Sequence, residues 1–150
     1  QSLLARIILD EINGPPPEVN LFNEKNNGET LLNLIQKNFI KSAHDISLGG
    51  IIIAVSKMCI KGNKGFKFNK PKNLMNEIEY YFAEDQGRYL IEINPKDLKE
   101  VSKILDKNSV YFEELGQIID KDMIINKKTK VTIDELKSYN TNWLLNFMSN

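Results

Sequence analysis

The chain has 150 residues, of which 41% are hydrophobic and 27% charged, a globular composition that allows one ordinary domain-sized core and is expected to be soluble. Its basic and acidic side chains cancel at 20 each, which removes the bulk attraction that draws basic domains onto nucleic acid or anionic membranes. No apolar stretch reaches the roughly 20 residues that a bilayer-spanning helix needs, so neither nucleic acid nor membrane is expected as a partner.

Cys59 is the only cysteine, so a disulfide framework is excluded and a reducing, cytoplasmic setting is the simpler one. Its place in the apolar run IIIAVSKMCI suits a small buried hydrophobe better than a nucleophile. The chain opens on Gln1 without a methionine or signal peptide, and is expected to be a piece of something longer.

In chain order, QSLLARIILDEI carries Leu3, Leu4, Ile7, Ile8 and Ile12 at helical spacing, and NGPPP then forbids continuation. Asn20 is placed to cap a second helix bearing Leu31, Leu32, Leu34 and Ile35, with Gly28 as a possible interruption. The run from Ile51 through Cys59 is apolar on more than one face. It reads as a helix buried on most sides, because Ser56, Lys57 and Lys61 carry it past strand length. GNKGFKFNKPK is a loop holding a short strand around Phe66 and Phe68, and Leu74 to Tyr81 suggest another helix.

RYLIEI at 88–93 reads as a strand with Tyr89, Ile91 and Ile93 on one side. Asn94 as cap and Pro95 at the first helical position open a helix with Leu98, Val101 and Leu105 on one stripe, closed by Asn108. SVYFEELGQIID, MIIN and KVTI supply short strands, with Asp120, Lys121 and Asp122 as a hairpin turn. Thr132 and Glu135 form a capping-box pattern before a last helix with Leu136, Tyr139, Trp143, Leu144 and Phe147 at helical intervals, Trp143 being assigned to the core. Helices and strands alternate and strands then cluster late, which predicts an α/β fold with a mixed sheet packed by helices.

Two clusters could carry chemistry. In HDISLGG, the start of the apolar helix would present free backbone N–H groups and partial positive charge. Gly49 and Gly50 would let an anion approach, Ser47 and His44 could donate to a phosphate, and Asp45 could receive a hydrated Mg²⁺. The plainer reading of the same residues is that Ser47 caps the helix, Asp45 favours its positive end and His44 bonds a nearby carbonyl. In FAEDQGRYL, Glu84, Asp85 and Gln86 could hold hydroxyl or amide groups while Arg88 grips phosphate or fixes the carboxylates. The plainer reading here is a solvated turn with Arg88 paired to a neighbouring acid. A single His and a single Cys furnish no zinc site of usual spacing, and no catalytic triad is evident.

Taken in order, QSLLARIIL, GPPPEVNL, SAHDISLGGI, FAEDQGRYLIEI, LGQII and the late NW resemble the C-terminal domain of the phosphoribosylformylglycinamidine synthase family over nearly the whole chain. HDIS-GG and E-QGR, in this order and separation, are specific together. The resemblance implies the fold of the aminoimidazole ribonucleotide synthase superfamily, which includes selenophosphate synthetase and thiamine-monophosphate kinase. It also implies a single domain over 1–150 that lacks a glycine-rich first strand and exposes a sheet edge.

The implied activity is that of an ATP-dependent ligase converting formylglycinamide ribonucleotide to its amidine in purine synthesis, with ATP/ADP and Mg²⁺ as cofactors. The implied partners are the remainder of the synthetase chain and a glutaminase. The family's catalytic histidines and main ATP ligands lie upstream, so no catalytic residue is expected here. Glu84, Asp85, Gln86 and Asp45 inherit substrate and metal contacts only through pseudo-symmetry with an earlier copy of the repeat. Leu48 departs from the family's usual aspartate, which removes one possible ligand. The competing expectations are a domain of another superfamily kinase or synthetase, and a ligand-free structural or docking module.

Overall fold

The computed structural model describes residues 2–11, 14–71, 76–126 and 129–149, apart from the side chains of 143–146. The chain divides into two compact units, one of residues 1–54 and 76–113 and the other of 55–75 and 114–150.

In the first unit, α1 (Leu3–Ile8) is capped by Ser2, whose side chain accepts from the Ala5 amide, and ends well short of Ile12. Asp10 takes a left-handed backbone with φ of 51°, which breaks the helix before the apolar face can complete itself. Ile7 and Ile8 are accordingly exposed, and Ile12 lies outside the described residues. Asn20 caps α2 (Leu21–Gln36) as its position predicts, its Oδ1 accepting from the Asn23 amide at 3.0 Å. The helix runs through Gly28 unbroken. Of its late apolar residues Leu34 is buried, whereas Leu32 and Ile35 face solvent.

The strand β1 (Ile40–Asp45) has no counterpart in the sequence reading and pairs antiparallel with β2 (Tyr89–Ile93), setting His44 opposite Leu90 and Asp45 opposite Tyr89. Between them in sequence lie α3 (Gly50–Gly62), β3 (Gly65–Phe68) and α4 (Glu77–Phe82). A 3₁₀ turn at Pro95–Asp97 leads into α5 (Leu98–Lys107). Asn94 makes no side-chain cap bond there; its Nδ2 donates instead to Asp97 Oδ2 at 3.3 Å. Val101 and Leu105 are buried with Leu34, and Phe39, Ile40, Ile91, Ile93, Ile104 and Val110 pack against that cluster, while Leu98 is exposed. Each fully buried aliphatic side chain of this kind contributes about 1.5–3 kcal/mol. Asn108 closes the helix as expected.

In α3, residues 51, 52, 54, 55, 56 and 59 are all buried, as a helix apolar on several faces requires.

The second unit holds the mixed sheet, whose strands are ordered β4 (Gly116–Ile119), β3, β5 (Met123–Ile124), β6 (Lys130–Val131). β3 pairs antiparallel with β4 and parallel with β5. Asp120 to Asp122 is therefore not a hairpin turn: β4 and β5 are separated by β3, and the chain crosses the start of that strand. Phe66 N donates to Asp122 O at 3.0 Å, and Gly65 lies where a Cβ would stand 2.2 Å from that same oxygen. The crossover needs a residue without a side chain at 65.

The stretch from Ser109 to Leu115 is not strand, so the strand expected within 109–120 is limited to Gly116–Ile119. The capping box opens α6 (Ile133–Met148) as read: Thr132 N donates to Glu135 Oε2 at 2.8 Å, and Glu135 N donates to Thr132 Oγ1 at 3.1 Å. Tyr139 and Phe147 are exposed, and the side chain of Trp143, the residue assigned to the core, lies outside the described residues. Leu74 and Met75 likewise lie outside them, and the helix expected there is described from Glu77.

Candidate functional site

The HDISLGG and AEDQGR segments meet within the first unit. β1 and β2 are hydrogen-bonded partners, and Ile46 N donates to Arg88 O at 2.9 Å just beyond the paired residues. The chain then turns through Ser47 to Gly50, with Gly50 N donating to Ser47 O at 3.0 Å. Gly49 and Gly50 both have positive φ, 83° and 69°, a conformation glycine takes without steric cost.

From the other side α4 ends at Ala83, and the next residue turns its carboxylate to this tip. Glu84 Oε1 accepts from Gly49 N at 2.8 Å and from Leu3 N at 2.8 Å. The space beside Gly50 is filled as well: a Cβ there would lie 2.7 Å from Tyr81 O and 2.8 Å from Ala83 O. The glycine doublet thus admits the protein's own chain, and the Gly49 and Gly50 amides are both engaged internally. A phosphate has no free amide to take at either glycine in this arrangement.

Ser47 and Leu48 are exposed at the turn. His44 Nδ1 donates to Asp45 O at 2.6 Å and lies 3.3 Å from Asp45 Oδ1. A carbonyl can only accept, so the proton sits on Nδ1. The Asp45 side chain is 64% exposed, and no group of three or more His, Cys, Asp or Glu among the described residues is arranged to hold a metal.

Arg88 is anchored locally. Its Nη2 donates to Ala83 O at 2.6 Å and lies 3.3 Å from Asp85 Oδ2, while its Nε is buried and without a hydrogen-bond partner among the described residues. Gln86, Gly87 and Arg88 form one wall of an open cleft of about 240 Å³, and Glu18, Asn20, Asn23, Glu24 and Asn27 form the other. Asn27 Nδ2 donates to Gly87 O at 3.1 Å and fixes the two walls to each other. The helical wall was missed in the sequence, although 20, 23/24 and 27 recur at one-turn spacing and so share a helix face.

The profile described as AIR synthase related protein, C-terminal domain, matches residues 2–127. The chain belongs to that family. Among curated relatives, the phosphoribosylformylglycinamidine synthase subunit PurL of Pelagibacter ubique is 63% identical over all 150 residues. The same subunit from Bartonella bacilliformis is 37% identical over 150 residues. The chain spans 20% of the length of each. Among solved structures, PurL of Thermotoga maritima complexed with FGAR superposes with a TM-score of 0.69 at 21% identity, covering 79% of this chain and 21% of that one. That likeness establishes the fold. For an AIR synthase related C-terminal domain of this sequence, the two motif segments form one junction, closed at the glycine doublet and open at the Gln86–Arg88 wall.

Proposed function

We propose that the chain is the C-terminal domain of a PurL-type phosphoribosylformylglycinamidine synthase, the ATP-dependent ligase that converts formylglycinamide ribonucleotide to its amidine in purine biosynthesis. The observation that carries this reading is the 63% identity with the Pelagibacter ubique subunit along the whole chain. Solved PurL proteins of Thermotoga maritima complexed with ATP and with ADP support nucleotide use by the complete enzyme, and a PurLQS structure from the same organism supports assembly with further subunits; a glutaminase is the partner this reading expects among them. The family match over 2–127 draws on segments of both compact units, which supports treating 1–150 as one domain.

In that reaction ATP supplies a phosphoryl group to the amide oxygen, and ammonia then displaces phosphate at the same carbon. Positioning and charge stabilisation supply most of the acceleration in such transfers, Mg²⁺ being the usual cation. This domain contributes no catalytic residue in our reading. Its residues complete the fold of a cytoplasmic enzyme and border its ligand space. Gln86 and Arg88 are the candidate ligand contacts that line the open cleft, with Asp85 paired to Arg88. His44, Asp45 and Ser47 lie at the partly exposed rim, and Gly49, Gly50 and Glu84 act as internal structure.

A ligand-free structural module is the second reading, and the Glu84 carboxylate at the helix tip is the observation in its favour. The experiment replaces the equivalent stretch of the Pelagibacter ubique subunit with this chain. The hybrid is assayed for ATP- and ammonia-dependent conversion of formylglycinamide ribonucleotide. Activity within about tenfold of the parent supports the ligase reading; a folded hybrid that binds ATP but forms no amidine overturns it. Calorimetry with Mg-ADP on the hybrid and on its Arg88→Ala variant separates a liganded cleft from a purely structural module.

A further inference from the structure

We propose that Glu84 is a carboxylate clasp that fastens the N-terminal segment, residues 2–9, to the start of α3. A single oxygen, Oε1, accepts from Leu3 N and from Gly49 N, each at 2.8 Å, joining positions 81 and 35 residues away in sequence. Hydrogen bonds to an ionised acceptor are roughly twice as strong as neutral ones. They weigh most where little else holds the partner.

α1 comes close to that condition, with Leu3, Leu4 and Ala5 only partly buried. The helix has six residues, none of them buried, and Ile7 and Ile8 are exposed at 68% each. An isolated helix of this length does not hold together in water. Its own devices are local: the Ser2 cap on Ala5, and the return of Leu9 N and Glu11 N to Ala5 O. The Glu84 contact reaches outside the segment. At the other end of the clasp, Gly49 gives up a backbone N–H at the positive end of a 13-residue helix, where an anion is favoured. The chain supplies that anion itself. A free anion reaches this amide only by displacing Glu84, which also releases the strap. The inference concerns the fold of this segment and does not rest on the ligase reading.

The test measures hydrogen exchange by mass spectrometry on the intact protein, in peptides covering 2–9 and 46–53. Glu84→Ala is expected to speed exchange in both peptides together, about tenfold, with residues 21–36 unchanged. Formate, a small carboxylate that fits the vacated position, is expected to restore protection in both peptides, whereas chloride at the same ionic strength does not. Glu84→Gln keeps an acceptor oxygen without the charge and is expected to fall between. Acceleration in only one of the two peptides, or formate no better than chloride, overturns the clasp. If the alanine variant does not fold, Glu84→Gln decides the matter alone: the two peptides either accelerate together, as the clasp requires, or they do not. None of these outcomes bears on whether the hybrid enzyme forms amidine.

Discussion

Gly50 stands against the carbonyl of Tyr81 so closely that a Cβ at position 50 would lie 2.7 Å from its oxygen, with the Ala83 oxygen at 2.8 Å. The backbone of Gly50 is also left-handed, φ 69°. Gly50→Ala therefore meets a backbone clash and an unfavourable conformation at once, and neither is relieved by a side-chain rotation. The expected loss is about 2–4 kcal/mol, read as a lowered urea midpoint. Gly62→Ala is the control. It lies at the end of the same helix with nothing within 4 Å of an added Cβ and no positive φ, so it is expected to be neutral or stabilising by up to about 1 kcal/mol. Equal losses at the two positions would refute the packing argument.

The elements of the chain differ in how far the sequence alone reveals them. α2, α5 and α6 announce themselves through nearby residues: the Asn20 cap, the Val101 and Leu105 stripe, and the Thr132 and Glu135 pair all act within a few positions. β1 does not. Its more buried positions are Ile40, Ser42 and His44, and only one of these is apolar, so alternation of hydrophobicity cannot mark it. It exists because β2 pairs with it, a relationship between residues as far apart in sequence as Ile40 and Ile93. Likewise the polarity of Glu84 signalled a site, but the acceptor serves Leu3, far away in sequence, so an internal partner could not be told from a ligand. The turn at 120–122 shows the same limit. A hairpin and a crossover use the same turn residues, and only the strand inserted between β4 and β5 tells them apart.

Alkaline pH is expected to destabilise the protein. Burial raises the Cys59 thiol from 9.0 to about 11. Tyr80 is raised above its ordinary 10.0 by burial first and then by the neighbouring Glu113 carboxylate, and Tyr81 is raised by burial and Glu77. A folded-state pKa above the unfolded value means that the folded state keeps its proton longer. The associated stability is complete below the unfolded value and is lost as pH rises through the folded one. The urea midpoint should hold to about pH 9 and fall above it, and Cys59→Ser and Tyr80→Phe should each flatten that fall. The same shift leaves the native thiol almost wholly protonated at pH 8, so iodoacetamide should label Cys59 only on unfolding. Rapid labelling of the native protein would contradict its burial.

The last helix should respond to acid through one pair of residues. Glu135 is held below its ordinary 4.5 by the hydrogen bond from the Thr132 backbone, then by the one from the Thr132 hydroxyl. A depressed folded value contributes stability above the unfolded pKa, and that stability is lost as pH falls through the folded value. Glu135→Gln should therefore weaken α6 at neutral pH and make little difference once Glu135 is protonated. Thr132→Ala removes the acceptor for Glu135 N and should cost about 1 kcal/mol. Hydrogen exchange across 133–141 reads both effects, and a Glu135→Gln effect unchanged from neutral to acid pH would rule the capping box out as their source.

Gly65 offers the sharpest test of the crossover. An added Cβ there would lie 2.2 Å from Asp122 O and 2.4 Å from Lys121 C, both backbone atoms that cannot move aside without shifting the chain. The same chain segment accepts the Phe66 N–H at 3.0 Å and leads straight into β5, which pairs with β3 at Phe66 and Lys67. Gly65→Ala must therefore open the parallel β3–β5 pairing and leave the antiparallel β3–β4 pairing to hold the sheet. The expected loss is about 3 kcal/mol or more, since a backbone shift breaks ladder hydrogen bonds as well as packing. Exchange should rise at Met123 and Ile124 well before it rises at Gln117 and Ile118. If 120–122 were instead a hairpin joining β4 directly to β5, the added methyl would meet no backbone at 65, and the substitution would leave both strands protected.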